Sequence, residues 1–231
     1  MRRFAIGRDF NWRYALGEIF LIVVGVTIAL AASSWYENRV ERRLEREALT
    51  QLKSELQADL IVVRAHHEDL KSFEIHLGLL LEHARSDDPY SDMMQPYFTG
   101  IASWRALRVR TASYEELKNR GFLLISDSGL RAQIIDLYEG QFPALIGTTR
   151  VDSEFTRNRI APYMYERFLR IPGAGWRPLD YSTLRSDPVF ENIIISKQQR
   201  LKGRLLPRHE KLADSIVNVI ENIDDVLAIA D

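Results

Sequence analysis

Five histidines, at positions 66, 67, 76, 83 and 209, are the side chains best suited to bind a metal or move a proton near neutral pH. His76 and His83 are seven residues apart and share a helix face, but no HExxH or comparable ligand spacing accompanies them. They read as polar residues of a helical bundle. Gly173 and Gly175 form a GxG without the third glycine or the preceding strand that a dinucleotide loop requires, and neither a P-loop nor a GxSxG elbow occurs. Carboxylates are plentiful but fall at no recognisable catalytic spacing. The absence of cysteine removes disulfides, thiolate metal sites and cysteine nucleophiles together. The residue pattern therefore predicts no catalytic residue, no metal and no cofactor, and the expectation is a protein that is not an enzyme.

Two charged features remain. Lys197, Arg200, Arg204, Arg208 and Lys211 follow one another at steps of three and four, a basic stripe opposite Leu201, Leu205 and Leu212. Such a stripe suits acidic lipid headgroups or an acidic partner, or serves as the solvated face of an amphipathic helix. With 31 basic against 32 acidic residues, no overall field favours nucleic acid, and none is expected as a partner. The second feature is Glu18, a carboxylate at the edge of an apolar run. It reads either as an ion or proton site within an oligomer, or as a carboxylate snorkelling to the interface or pairing with Arg13.

That run places everything else. A composition of 46% hydrophobic and 27% charged residues excludes a disordered chain, but the mean hydropathy of -0.20 averages over two unlike parts. Residues 19–36, IFLIVVGVTIALAASSWY, carry no charge. Taken from Tyr14, a helix to Tyr36 rises about 35 Å, against a hydrocarbon core of roughly 30 Å. Tyr14 at one end and Trp35 with Tyr36 at the other fall where aromatic rings anchor at membrane interfaces. A cleaved signal peptide competes with this reading, because basic residues, an apolar core and the Ala29, Leu30, Ala31 triplet are present. A retained anchor is preferred, since the helical pattern continues past the triplet into a charged run without a breaker. Glu18, Gly25, Ala29 and Ser33 share one helix face, where small side chains let a second span approach closely. A homo-oligomer in the bilayer is the expectation.

Four arginines precede the span and Arg39, Arg42, Arg43 and Arg46 follow it, so the basic-residue count is tied. Moving an arginine-rich tail across is unfavourable, whereas a long domain crosses largely regardless of charge. The expected topology has the N-terminus in the cytoplasm and the domain in the periplasm of a bacterial inner membrane. Beyond the span, apolar positions recur every seven residues at Leu49, Leu56, Val63, Leu70, Leu77 and Ala84, without Gly or Pro until Gly78. This predicts a long amphipathic helix ending near Arg85, ahead of Pro89. Asp59 and His66 at companion positions argue against a strict two-stranded coiled coil. Further helices are predicted over 91–108, 113–119, 129–138, 142–169 and from 188 to the C-terminus with a break or kink at Pro207. Residues 171–181 are read as a loop, and no stretch is assigned to a strand. The fold class is all-α: a basic tail (1–13), a transmembrane helix (14–36), a long juxtamembrane amphipathic helix (37–86) and a helical bundle (87–231) packing on it.

Two segments carry a resemblance. Residues 14–38, YALGEIFLIVVGVTIALAASSWYEN, with Gly17, Glu18, Ile19, Gly25, Ala29, Leu30, Trp35, Glu37 and Asn38 in order, resemble the N-terminal anchor of a family of bacterial single-pass membrane proteins classed as a domain of unknown function. Ser33 and Ser34 depart from it, standing where that family more often has amides. Residues 113–139, SYEELKNRGFLLISDSGLRAQIIDLYE, are similar to the family's other recurrent stretch, a helix, a Gly turn and a second helix ending in Tyr. Together these segments cover under a quarter of the chain. The resemblance implies a retained anchor and a helical domain, and implies no activity.

The sequence thus leads to a single-pass membrane protein acting as an interaction or accessory component, with the lipid bilayer, further copies of itself and another membrane protein as expected partners. The alternatives are a ligand-sensing bundle that signals through the span and an ion-conducting oligomer built on Glu18.

Overall fold

The structure is a computed structural model describing residues 12–173 and 175–229, so most of the basic tail lies outside the described residues. Its contacts divide the chain into two units, residues 1–47 and 48–231, each described in turn. The first helix, α1 (Trp12–Arg85), contributes to both.

In the first unit α1 carries the apolar run, and every residue from 16 to 36 is exposed. Phe20, Leu21, Ile28 and Leu30 are each more than 60% accessible. The run meets the length and hydropathy of a membrane span and is not buried against protein, which makes it a candidate membrane helix. Two of its polar side chains close on their own helix. Thr27 Oγ1 donates to the Val23 carbonyl at 2.8 Å and Ser33 Oγ donates to Glu37 at 3.1 Å.

The second unit is built on residues 48–85 of α1. The seven-residue repeat does what its period predicts, since Leu49, Leu56, Val63, Leu70 and Leu77 are all buried. Two apolar clusters form along it. The first joins Leu49, Leu52, Leu56 and Val63 to α3 (Ala112–Arg120), α4 (Ser128–Ile135) and α9 (Leu206–Ile229). The second joins Leu70, Leu77 and Leu80 to α2 (Gln95–Ala102), α6 (Ala161–Arg167) and α8 (Pro188–Arg200). α5 (Phe142–Phe155) and the short α7 (Tyr181–Arg185) complete the helices. Asp127, Asp180 and Asp187 cap α4, α7 and α8, each accepting a backbone N–H of the first turn. Gly121, at φ 96°, ends α3 at the predicted turn.

The fold is all-α, as predicted, but differs from the sequence reading at several places. The predicted helix over 91–108 stops at Ala102, and residues 103–111 form neither helix nor paired strand. Arg105, Leu107 and Val109 face inward while Trp104, Ala106, Arg108 and Arg110 are exposed, a period of two. Carboxylates of α1 take the place of a partner strand. Arg105 Nε pairs with Asp69 at 2.7 Å, Arg110 N and Nη1 donate to Asp59 at 3.0 and 2.6 Å, and Ser113 N donates to Glu55. The segment therefore descends α1 from residue 69 to 55. Asp59, which interrupts the heptad, is 1% exposed and forms its central clamp.

The helix predicted over 142–169 ends at Arg167, and its last two residues with much of the loop predicted over 171–181 form a hairpin instead, β1 (Phe168–Ile171) with β2 (Gly175–Pro178), antiparallel and in register from Phe168 opposite Pro178 to Ile171 opposite Gly175. This accounts for the GxG. Gly173 and Gly175 have φ of 78° and 97°, and a Cβ at Gly175 would stand 2.7 Å from Thr99 Oγ1 of α2.

Three wide π turns, Asp136–Gln141, Thr156–Ile160 and Leu201–Leu205, each end two residues before a proline: Pro143, Pro162 and Pro207. A proline inside a helix has no N–H for the carbonyl four residues back and its ring clashes with it. Those carbonyls belong to Glu139, Asn158 and Gly203, all within the wide turns, where the added residue opens room for the ring. At Pro207, where a break or kink is expected from sequence, the helical run continues through one of these wide turns.

Candidate functional site

The π turn before Pro207 positions the basic stripe. Steps of four overshoot a regular helical turn by about 40°, and the extra residue in Leu201–Leu205 takes that drift back. Arg200 at the end of α8, Arg204 in the turn and Arg208 in α9 consequently stay aligned, and all three line one cleft against α5. The cleft measures about 400 Å³, and Arg150 of α5 joins the three across it. Pro143, Ala144, Val151 and Leu205 supply an apolar wall.

The four guanidinium groups have little to neutralise them. Among the described residues none of them forms an ion pair. Arg208 Nη1 donates to the Ala144 carbonyl and to Thr148 Oγ1, and Arg200 lies 3.9 Å over the Phe155 ring. The side chains of Arg150 and Arg204 make no hydrogen bond to a described residue, and both are exposed. The carboxylate in the cleft wall, Asp152, is ion-paired through one oxygen: its Oδ2 accepts from Lys197 Nζ at 2.6 Å while Oδ1 is buried without a hydrogen bond, and Thr156 Oγ1 takes a second Lys197 hydrogen at 3.0 Å. Burial pulls the Lys197 pKa down, and the Asp152 carboxylate opposes it.

Lys197 is therefore not part of a solvated stripe. Three residues before Arg200 its side chain turns into the core, where it is fully buried. Lys211 is exposed on α9 and lies outside the cleft lining. Of the five stripe residues the structure brings Arg200, Arg204 and Arg208 together. It adds Arg150, which fifty residues of sequence separation concealed and which no local spacing signals.

A second cleft, of about 460 Å³, opens beside the hairpin with Trp104, Tyr165, Trp176, Arg157 and Arg170 among its walls. Its arginines are already engaged. Arg157 and Arg170 stack over Trp104 and Trp176 at 5.5 and 5.7 Å, and Arg157 also donates to Ser153.

His66 and His209 lie together, apart from His76 and His83. His209 is buried, its Nδ1 2.8 Å from the Leu205 carbonyl, with the His66 ring 6.5 Å away. Burial lowers the pKa of both. His83 Nδ1 meets the Tyr181 hydroxyl at 2.6 Å, and His76 lies against Tyr97. Among the described residues no three His, Asp or Glu side chains gather as metal ligands do.

In the first unit Glu18, Gly25, Ala29 and Ser33 are exposed along α1, and a Cβ on Gly25 would meet nothing within 4 Å. Trp35 and Tyr36 are 63% and 65% accessible, with the Arg39 guanidinium 5.5 Å over the Trp35 ring. The side chain of Tyr14 lies outside the described residues.

Comparison with family models, with curated proteins and with solved structures returns no match for this chain.

Proposed function

We propose that the chain is a single-pass, membrane-anchored helical interaction or accessory protein of a bacterial membrane assembly, held in the bilayer by residues 14–36 and oligomeric through that span. One observation carries this reading: an uninterrupted helical run whose side chains from 16 to 36 are all exposed, with no described residue burying them. Water is a poor environment for that surface and lipid a good one. The small residues at 25, 29 and 33 leave room for a second span. The N-terminus is assigned to the cytoplasm and the domain to the periplasm, on the cost of translocating the arginine-rich tail.

Because the chain has no cysteine, single-cysteine variants at Gly25 and Ala29 give a clean crosslinking test. Disulfide-linked dimers in membranes are expected at both positions, and an exclusively monomeric result contradicts the oligomer. A C-terminal alkaline phosphatase fusion is expected to be active, and inactivity reverses the topology.

The arginine cleft favours a second reading, a ligand-sensing bundle that passes its signal through the span.

A further inference from the structure

We propose that the cleft between α5 and the α8–α9 junction is a binding site for a phosphate ester. The proposal rests on the reading of this cleft as a ligand site. Four guanidinium groups from two stretches of chain line one cleft, and among the described lining residues the only carboxylate is Asp152. Asp152 stands in the wall, but its charge is matched by Lys197 behind it. Like charges held together without a counter-ion repel, and an anion that bridges them removes that cost.

The donor set selects the anion. A guanidinium offers a planar fork of N–H groups, and a carboxylate with one charge and two oxygens is satisfied by one or two such forks. A phosphomonoester carries about -1.5 to -2 charges and three acceptor oxygens, which suits three or four. Arg150 and Arg204, whose side chains make no hydrogen bonds to described residues, are free to donate to it from opposite walls. The carbon skeleton of the ester lies against Pro143, Ala144 and Val151. A volume of about 400 Å³ admits a small organic phosphate or a lipid headgroup. The second cleft is larger but brings two arginines to its lining, Arg157 and Arg170, against four here.

The test uses the full chain in phosphatidylcholine nanodiscs, titrated calorimetrically with glycerol 1-phosphate and, for comparison, with succinate. In a second arm the nanodiscs contain phosphatidic acid, and protection of the chain against thermal unfolding is read. Binding of glycerol 1-phosphate assigns the site to a soluble ester, and protection by phosphatidic acid alone assigns it to a lipid headgroup; either supports the proposal. The Arg150→Gln, Arg204→Gln double variant, which alters two exposed side chains, is expected to weaken binding roughly tenfold or more. Lys211→Gln, outside the cleft, is expected to leave it unchanged. No effect of either ester, equal affinity for succinate, or equal loss in the Lys211 variant overturns the proposal. Crosslinking at the Gly25 cysteine variant, with and without ester, is scored separately. Unchanged crosslinking alongside cleft-dependent binding ends the signalling reading and leaves the binding site standing.

Discussion

Lys197 Nζ and Asp152 Oδ2 meet at 2.6 Å with both side chains buried, an ion pair that ties α8 to α5 directly behind the arginine cleft. Removing one member of such a pair leaves a buried charge uncompensated, whereas replacing both by apolar groups of similar size is often neutral. Asp152→Ala is expected to destabilise the second unit by about 3 to 5 kcal/mol, and Lys197→Met with Asp152→Leu to recover most of that loss. Denaturant unfolding of the full chain in micelles, followed by circular dichroism, measures both.

Asp59 holds residues 103–111 against α1 through the backbone N–H and guanidinium of Arg110. With no partner strand, the segment depends on that carboxylate. Asp59→Ala is expected to raise amide hydrogen exchange selectively across 103–111 and to cost about 1 to 3 kcal/mol. Asp59→Asn, which retains an acceptor, is expected to cost less. Exchange resolved by mass spectrometry checks the location, and unfolding checks the magnitude.

The buried histidines predict how stability varies with pH. Burial is the main cause holding His209 below its ordinary value of 6.5; the Leu205 carbonyl opposes it, and His66 and His67 add to it. Burial and Arg105 do the same to His66, against Asp69. As pH falls through 6.5 the unfolded chain takes up these protons before the folded one, so stability is full above that range and declines below it. A melting temperature that drops between pH 7.5 and 5 is expected. The drop is expected to be smaller in the His66→Gln, His209→Gln variant, and an identical drop there assigns the pH dependence to other groups.

Much of this fold is legible in one dimension because its signals are local. The heptad leucines, the stop near Arg85 and the Gly121 turn all depend on neighbours a few residues away. Residues 103–111 were harder to read, because Arg105 stands on the inward face and Trp104 on the outward one, inverting the hydropathy expected of a strand; their partners are carboxylates 36 to 58 residues away. The hairpin at Gly173 and Gly175 depends on positive φ and on contact with Thr99, neither of which a GxG spacing encodes. The basic stripe was half legible. Its spacing aligns Arg200, Arg204 and Arg208, while the burial of Lys197 and the arrival of Arg150 follow from α5 docking beside them.

The central claim is that residues 14–36 anchor the chain in a membrane and are retained. Alkaline carbonate extraction of cell membranes, followed by intact-mass measurement of the extracted protein, tests this most directly. The account predicts protein in the carbonate-resistant pellet with a mass that includes residues 14–36. Protein in the soluble fraction, or a mass beginning just after Ala31, would contradict it.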